Sequence, residues 1–333
     1  MIIPRRGRGD LNTSEPAAWD WQVAVFGLNE AWRLGDCIKS IASAARGWRV
    51  LVTVILNGTT DNSAAVALDA ARSCLIPLDV YRIKYADKSN AINAFLYDLR
   101  APSRFHCCVD AYVTIGPATL SGFAHCWATH PEARAVTGIC LNGRSEALAS
   151  AQILSIGGAL RGQLFSLQRE FIDRFTSQGL RLPVGMYRGD GLLGSMAAHD
   201  LDSLGQPWDN TRIVGVRTAT YEIETLSVFR LRDWHRQFRR KIRQMRGQIE
   251  NAAVKRIIYR YGYAALPHYA DEMIADFLAE EGMPATSLSD FPFMRLALRQ
   301  HRRALASPHS SSLRPAFIGS TRTPIEQGLD QSA

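Results

Sequence analysis

Residues 49–63 read RVLVTVILNGTTDNS, and this stretch decides the fold class. Its first eight residues are mostly apolar and β-branched, without the polar alternation of a strand that has one face in water. The next seven, Asn57 to Ser63, are turn formers, and the Ala-rich segment from Ala64 to Cys74 has the composition of a helix. The stretch therefore predicts a strand covered on both faces, then a loop and a helix.

The same unit recurs on either side of this stretch. An apolar run at 21–26 and an amphipathic segment to Ala45 precede it, and a strand at 78–83, a helix at 89–99 and a fourth strand at 105–109 follow it. Alternating strands and helices predict an α/β fold with a mostly parallel sheet and helices on both faces. Ligands of such folds bind at the carboxyl ends of the strands.

Further along the chain, apolar patterns predict more strands and then mainly helices. We predict strands at 136–141 and 211–228 and helices at 164–175, from Leu192, at 231–261 and as a pair between 268 and 306. The chain then divides into a flexible N-terminal arm (1–20), an α/β domain (21–228), a basic helical C-terminal extension (229–306) and a disordered tail (307–333).

Composition and cysteine content limit the classes of protein to which the chain can belong. The 333 residues are 47% apolar, enough for a large core. We find no run of about 18 to 20 apolar residues that could cross a bilayer and no signal-peptide core behind the charged start, so we expect a cytoplasmic protein. The six cysteines lack the spacing of a zinc site and are expected to be buried free thiols.

The formal net charge of +8 comes from one segment. Residues 230–260 carry eleven Lys or Arg against two acidic residues, and subtracting these from the 39 basic and 31 acidic residues leaves 28 and 29 elsewhere. Such a block predicts an anionic partner, either phosphate, acidic lipid or, least favoured because interleaved aromatics are missing, nucleic acid. Phe238, Ile242, Met245 and Ile249 fit either an amphipathic helix on an anionic membrane surface or packing into the core.

Polar residues follow each of the first four predicted strands. They are Asn29 and Glu30, Asn57 and Asp61, Asp87 and Lys88, and Asp110. Each alone could be a turn former or a helix cap. Four successive strand ends with polar side chains predict a binding cleft at that edge of the sheet.

Three segments resemble the family 2 glycosyltransferases, which are inverting enzymes of the GT-A fold. They are Val-Phe-Gly-Leu-Asn-Glu at 25–30, Val-Ile-Leu-Asn-Gly-Thr-Thr-Asp-Asn-Ser at 54–63 and Asp-Lys-Ser-Asn-Ala-Ile-Asn-Ala at 87–94. The resemblance extends from about residue 23 to residue 247 and includes Gln-Phe-Arg-Arg-Lys at 237–241. It implies transfer of a sugar from a nucleotide diphosphate to a saccharide or lipid-linked acceptor.

The resemblance also implies a role for individual residues. Asp190 would be the catalytic base, Gly158 and Arg161 would lie on the acceptor side, and Asp110 would bind a divalent cation, Mg²⁺ or Mn²⁺. The donor would contact Asn29, Glu30, Asn57, Asp61, Lys88, Asp110, Arg240 and Arg243. The basic helix could place the enzyme at the inner membrane face.

Four positions depart from the family's motifs. Leu56 stands where relatives carry an Asp that reads uracil, and Tyr112 replaces the second acid of Asp-x-Asp, leaving Asp-Ala-Tyr. Gly189 replaces the glutamate before the catalytic acid, and Lys241 replaces a tryptophan. These changes leave open a second hypothesis, a nucleotide-binding protein of the same fold without transferase activity.

Overall fold

The computed structural model describes residues 18–142, 144–224, 231–282, 290–304 and 310–323. The strands in these ranges are β1 (Trp19–Gly27), β2 (Val50–Asn57), β3 (Leu78–Ile83), β4 (Ser103–Asp110), β5 (Thr114–Ile115), β6 (Ala135–Cys140), β7 (Leu164–Leu167), β8 (Ile213–Glu222) and β9 (Ala316–Ser320). The α-helices are α1 (Ala31–Ala44), α2 (Ser63–Cys74), α3 (Lys88–Asp98), α4 (Thr119–Thr129), α5 (Arg144–Ile156), α6 (Arg169–Ser177), α7 (Gly189–Ala198), α8 (Leu231–Tyr261), α9 (Ala270–Glu280), α10 (Phe291–Ala304) and α11 (Ser310–Leu313).

The nine strands form one sheet in the order β5-β8-β6-β7-β4-β1-β2-β3-β9. Strands β4, β1, β2 and β3 are parallel, so that Val23 of β1 lies between Val52 of β2 and Cys107 of β4. Strand β6 is parallel to β8, whereas β7 runs antiparallel to both β4 and β6. The predicted α/β fold with a mostly parallel sheet is confirmed.

Helices cover both faces of the sheet. Trp21, Val23 and Val25 of β1 enter the core formed with α1, α2 and α4, and the alternate residues Ala24 and Phe26 enter the core formed with α3 and α6 to α10. Every residue of β2 is buried. Burial of both faces explains why these strands lack polar alternation, because period-2 patterning marks only strands with a wet face.

The basic helix α8 has the predicted limits, and its apolar stripe packs into the protein. Ile242, Met245 and Ile249 are buried in the core, whereas Phe238 is half exposed. This favours the core-packing interpretation of that stripe over insertion into a membrane. None of the helices within the described ranges is long and apolar enough to cross a bilayer.

Acidic residues of α8 itself and of the chain that follows it neutralise part of the charge of α8. Lys241 Nζ lies 2.8 Å from Asp290 Oδ1, Arg256 lies 2.6 Å from Glu280, and Arg246 lies 2.9 Å from Glu250 and 3.2 Å from Asp271. The segment that carries the chain's net charge is therefore less available to a nucleic acid than its composition indicates.

Two predictions are wrong. Residues 164–175 are not one helix, because Leu164–Leu167 forms strand β7, which fills the gap between β4 and β6, and helix α6 begins only at Arg169. The tail is not disordered throughout, because β9 pairs with the edge strand β3. Residues 1–17 of the predicted arm lie outside the described part of the chain. The last residues of the predicted arm belong to the sheet, because β1 begins at Trp19.

Candidate active site

A cleft of about 830 Å³ lies at the carboxyl ends of β1, β2 and β4. The loop between Gly185 and Gly191 and helix α8 form its other walls. Seven residues implicated from the sequence line it: Glu30, Asn57, Asp87, Lys88, Asp110, Asp190 and Arg243. The predicted convergence of strand ends is thus observed for the first five, and Asp190 of α7 and Arg243 of α8 meet them there.

Asp110 is the buried centre of the cleft floor. Its Oδ1 lies 2.5 Å from the Lys88 ammonium, and its Oδ2 accepts a hydrogen bond from the Tyr112 hydroxyl at 2.9 Å. Burial alone would lower the pKa of Lys88, but the negative charges of Asp110 and Asp190 outweigh it and raise that pKa. Burial and the nearby Asp110 carboxylate raise the pKa of Tyr112 well above its ordinary value, so its hydroxyl keeps its proton.

Asp190 lies in the first turn of α7, close to this pair. Its Oδ1 accepts the Gly191 N–H at 2.9 Å, and its Oδ2 packs so closely against Gly162 that a Cβ at that position would collide with it. The carbonyl of Gly162 accepts a hydrogen bond from Lys88 Nζ at 2.8 Å. Gly162 therefore contacts both Asp190 and Lys88, and only a glycine leaves room for this arrangement.

The loop that precedes Asp190 is anchored by α8. Both carboxylate oxygens of Glu250, which is fully buried, accept the Tyr187 N–H at 3.0 Å, and one of them also accepts the Arg188 N–H at 3.2 Å. Arg246 donates to Glu250 at 2.9 Å and to the carbonyl of Gly185 at 2.8 Å. Burial raises the pKa of Glu250, while Arg246 and the two backbone donors oppose that shift.

Helix α3 anchors the same loop from the other side. Asp87 caps α3 by accepting the Asn90 N–H at 2.5 Å, and its second oxygen accepts the Gly185 N–H at 2.8 Å. Ser89 Oγ donates to the carbonyl of Met186 at 3.0 Å. Gly189 packs against Ser89, where a Cβ would collide with Oγ, so a glutamate at this position would require the Ser89 side chain to move.

Asn29 and Asp61 lie outside the cleft lining and brace its rim. Asn29 has a left-handed backbone (φ 55°), and its Oδ1 accepts the Thr60 N–H at 2.8 Å. Asp61 accepts the Ala31 N–H at the start of α1 at 3.1 Å and the Ser63 hydroxyl at 2.5 Å. Slight burial would raise the pKa of Asp61, but these hydrogen bonds outweigh it and lower that pKa.

The predicted acceptor residues also lie outside the lining. Gly158 (φ 75°) packs against the side chain of Asn210, and the Arg161 N–H donates to Thr137 Oγ1 at 3.0 Å, while the neighbours Leu160 and Gln163 line the cleft. Leu56 is fully buried among the residues under α1 and α2. The side chain of Arg240 lies outside the described part of the chain. The roles of Gly158, Arg161 and Arg240 stay predictions.

The expected Mg²⁺ or Mn²⁺ site at Asp110 does not fit the side chains present. Such ions need several oxygen ligands, preferably carboxylates. Each oxygen of Asp110 is already engaged by a hydrogen-bond donor, and Tyr112 supplies a neutral phenol. Throughout the described ranges, no group of three or more His, Cys, Asp or Glu side chains is arranged to hold a metal.

Five of the six free cysteines are buried, and Cys74 is partly exposed.

Comparison with known proteins identifies the fold. The sequence matches no protein-family model and no curated protein. The structure is similar to that of the mannosyltransferase PcManGT from Pyrobaculum calidifontis, solved in complex with GDP-Man and Mn²⁺, with a TM-score of 0.53 and 17% identity over 90% of this chain and 85% of that chain. The chain has the GT-A fold.

Two further solved structures are similar at lower scores. TarS 1-349 of S. aureus in complex with UDP-GlcNAc has a TM-score of 0.49 and 15% identity, covering 86% of this chain and 81% of that chain. Glucosyl-3-phosphoglycerate synthase of Mycobacterium tuberculosis, with Mn²⁺, UDP-Glc and phosphoglyceric acid, has a TM-score of 0.45 and 15% identity, covering 63% and 73%. These scores are too low to add to the fold assignment.

Several lining residues were not predicted from the sequence. Tyr187 and Arg188 enter the cleft from the loop before α7, and the Arg243 guanidinium lies 5.5 Å from the centre of the Tyr187 ring. Glu250, which holds that loop, lies about sixty residues further along the chain. Its only signal in the sequence is that it is one of two acids in a strongly basic segment.

Proposed function

We propose that the chain is an inverting glycosyltransferase that moves a hexose from a nucleoside diphosphate sugar to an acceptor hydroxyl. The observation that carries this proposal is the placement of Asp190 in one cleft with the Lys88–Asp110 pair. A carboxylate and a cation near each other supply the two groups that the reaction needs, one for the acceptor and one for the leaving group. The similarity to PcManGT, whose solved complex holds GDP-Man, supports a donor of this class.

The proposed reaction assigns each group a single task. The Asp190 carboxylate takes the proton of the acceptor hydroxyl, whose oxygen forms a bond to the anomeric carbon from the face opposite the diphosphate. The bond between that carbon and the diphosphate oxygen breaks, and the nucleoside diphosphate leaves with the bonding electrons. Lys88 and Arg243 face the developing negative charge, while Glu30 and Asn57 line the nucleoside side of the cleft.

The acceptor is proposed as a saccharide or a lipid-linked saccharide. The cytoplasmic location and the contact of α8 with an anionic membrane surface stay predictions, and the buried apolar stripe of α8 restricts such a contact to the exposed side of that helix. Asn29 and Asp61 support the donor pocket by fixing the loops at its rim.

An Asp190→Asn variant tests the assigned base. We expect transfer or donor hydrolysis, screened across GDP-, UDP- and dTDP-sugars, to fall by about 10²- to 10⁴-fold, the usual contribution of a general base. Binding of the nucleoside diphosphate, measured by calorimetry, should be unchanged. The matched control is Asp36→Asn, an exposed carboxylate on α1 outside the cleft.

Two outcomes would contradict the proposal. Undiminished turnover of Asp190→Asn would show that another group takes the proton. Nucleotide binding by the wild type without transfer from any of these donors would favour the second hypothesis, a binding protein that keeps the fold without the chemistry.

A further inference from the structure

We propose that the Lys88 ammonium takes the place of a divalent cation, and that the chain binds a nucleoside diphosphate without metal. This inference rests on the proposed function and goes beyond it, because the solved PcManGT complex contains Mn²⁺. It follows from the hydrogen bonds that occupy Asp110, the position of Lys88 and the other positive charges that line the cleft.

The first step concerns the oxygens of Asp110. Lys88 Nζ lies 2.5 Å from Oδ1, and the Tyr112 hydroxyl donates to Oδ2 at 2.9 Å. A divalent cation that bound Asp110 would have to displace the Lys88 ammonium from Oδ1 or compete with the Tyr112 hydroxyl for Oδ2. Like-charge repulsion between that cation and Lys88 would add to the cost, because Asp110 is buried and screening by water is weak.

The second step concerns the hydrogen-bonding capacity of Lys88. An ammonium group has three N–H donors. One is directed to Asp110 Oδ1, and one donates to the Gly162 carbonyl at 2.8 Å. The side chain is about one-third exposed and lines the cleft, so the third N–H can reach a phosphate oxygen of a bound donor.

The third step concerns how firmly this cation is held. Lys88 is the first residue of α3, and Asp87 caps that helix through the Asn90 N–H. The Lys88 main chain is therefore fixed by the helix, and its ammonium is fixed by two acceptors. A positive charge fixed in this way needs little reorganisation when negative charge develops on the leaving group.

The fourth step concerns two arginines that line the same cleft. None of the ion pairs formed within the described ranges includes Arg188 or Arg243. Arg246, by contrast, is committed to Glu250 and Asp271. Two further arginines in the cleft that holds Lys88 supply forked donors for the diphosphate oxygens, which is the charge compensation that a metal would otherwise provide.

Calorimetry on the full chain tests the inference. GDP, UDP and dTDP are titrated in the presence of EDTA and, separately, in the presence of MnCl₂. We expect at least one of them to bind with the same dissociation constant in both conditions. Electron paramagnetic resonance of Mn²⁺ should show no additional bound ion when protein is added to the nucleotide.

Variants at Lys88 test its part in binding. Lys88→Met should weaken nucleotide binding in EDTA by about tenfold or more, as expected for loss of a charged hydrogen bond to phosphate. If Lys88→Met fails to fold, the double variant Lys88→Met with Asp110→Asn replaces it, because no buried carboxylate is then left unpaired. The double variant should show the same loss of nucleotide binding. The matched control is Lys84→Met, an exposed lysine outside the lining, which should bind as the wild type does.

A reverse design sharpens the result. Lys88→Ala with Tyr112→Asp removes the ammonium and restores a second acid beside Asp110, so its nucleotide binding should require Mn²⁺. Binding by the wild type only in Mn²⁺ would overturn this inference and leave the proposed function standing. Failure of all three nucleotides to bind in either condition would overturn the proposed function and this inference with it.

Discussion

Asp87 connects the start of α3 to the loop that precedes α7, and both lie at the cleft. Its carboxylate accepts the N–H groups of Asn90 and Gly185, and burial raises its pKa from 3.8 to about 6, with Glu250 adding to the shift and Arg246 opposing it. The folded protein therefore holds a proton on Asp87 more tightly than the unfolded chain does. Between these two values the folded state binds more protons, so the free energy of unfolding falls as the pH rises.

The first prediction follows from this linkage. The contribution of Asp87 to stability should be greatest below about pH 4 and should decrease as the pH rises through about 6. Comparing wild type with Asp87→Asn by urea unfolding, we expect their difference in unfolding free energy to change by about 3 kcal/mol at most between about pH 4 and about pH 7. The wild type should lose stability relative to the variant over that range.

The control for this measurement is Asp36→Asn. Asp36 is exposed on α1, so replacing it should have little effect on the free energy of unfolding. A wild type that gains stability relative to Asp87→Asn as the pH rises would show that the hydrogen bonds from Asn90 and Gly185 outweigh burial.

At the scale of single residues, the sequence predicted positions better than roles. Lys88, Asp110 and Asp190 meet in one cleft because strand ends and the loop before α7 converge there, which spacing along parallel strands indicates. The loop-bracing roles of Asn29 and Asp61 depend on hydrogen-bond partners about thirty residues away in sequence. No local pattern encodes such partners.

At the scale of elements, helix α8 is part of the candidate active site. Its buried face packs into the core under the sheet, and Glu250 on that face holds the loop that precedes Asp190. The helix was predicted with its correct limits as a basic extension. Its role in positioning the loop depends on packing against α9 and α10, which the sequence pattern of α8 does not contain.

The second prediction concerns this contact. Glu250→Gln replaces a carboxylate oxygen by an NH₂ group that cannot accept the N–H groups of Tyr187 and Arg188. We expect kcat for transfer to fall by about 10- to 100-fold, corresponding to loss of charged hydrogen bonds, and nucleotide binding to weaken as well, because the same loop carries Arg188. Amide hydrogen exchange at Tyr187 and Arg188 should become faster, a measurement that needs no substrate.

A matched variant is Glu280→Gln on α9. Glu280 is largely exposed and pairs with Arg256 at 2.6 Å, away from the loop, so its loss should change neither kcat nor exchange at Tyr187. Equal kcat and equal exchange for wild type and Glu250→Gln would show that α3 alone holds the loop in place.

Strand β7 shows the limit of pattern recognition at this scale. Leu164–Leu167 is four buried residues followed directly by α6, and a short apolar run of this kind is compatible with the first turn of a helix. Its strand conformation is decided by the open backbone groups of β4 and β6 on either side. Pairing with two neighbours outweighs local helix propensity.

At the scale of the whole molecule, the parallel part of the sheet was predictable and its closure was not. Strands β1 to β4 carry continuous apolar runs with turn residues after them, which is a strong local signal. Strand β9 comes from a segment rich in Ser, Pro and Gly, and its residues Phe317 and Ile318 are partly exposed. It is ordered by pairing with β3, some 240 residues earlier in the chain.

The third prediction concerns the ion pair that fastens this C-terminal strand. Arg322 donates through Nε and Nη2 to the two oxygens of Asp79, at 3.1 and 3.0 Å, and both side chains are at most 10% exposed. Arg322→Ala would leave a buried carboxylate without its cation. We expect the free energy of unfolding to fall by about 3 to 5 kcal/mol, the usual cost of breaking a buried pair from one side.

The size of this loss shows whether the C-terminal segment contributes to the stability of the fold. Arg314→Ala, in the same segment but exposed, should change the free energy of unfolding by no more than about 0.5 kcal/mol in the same urea titration. Asp79→Asn combined with Arg322→Ala removes the unpaired charge and should recover part of the stability. If Arg322→Ala behaved like Arg314→Ala, the Arg322–Asp79 pair would contribute little, and the edge of the sheet at β3 would be stable without it.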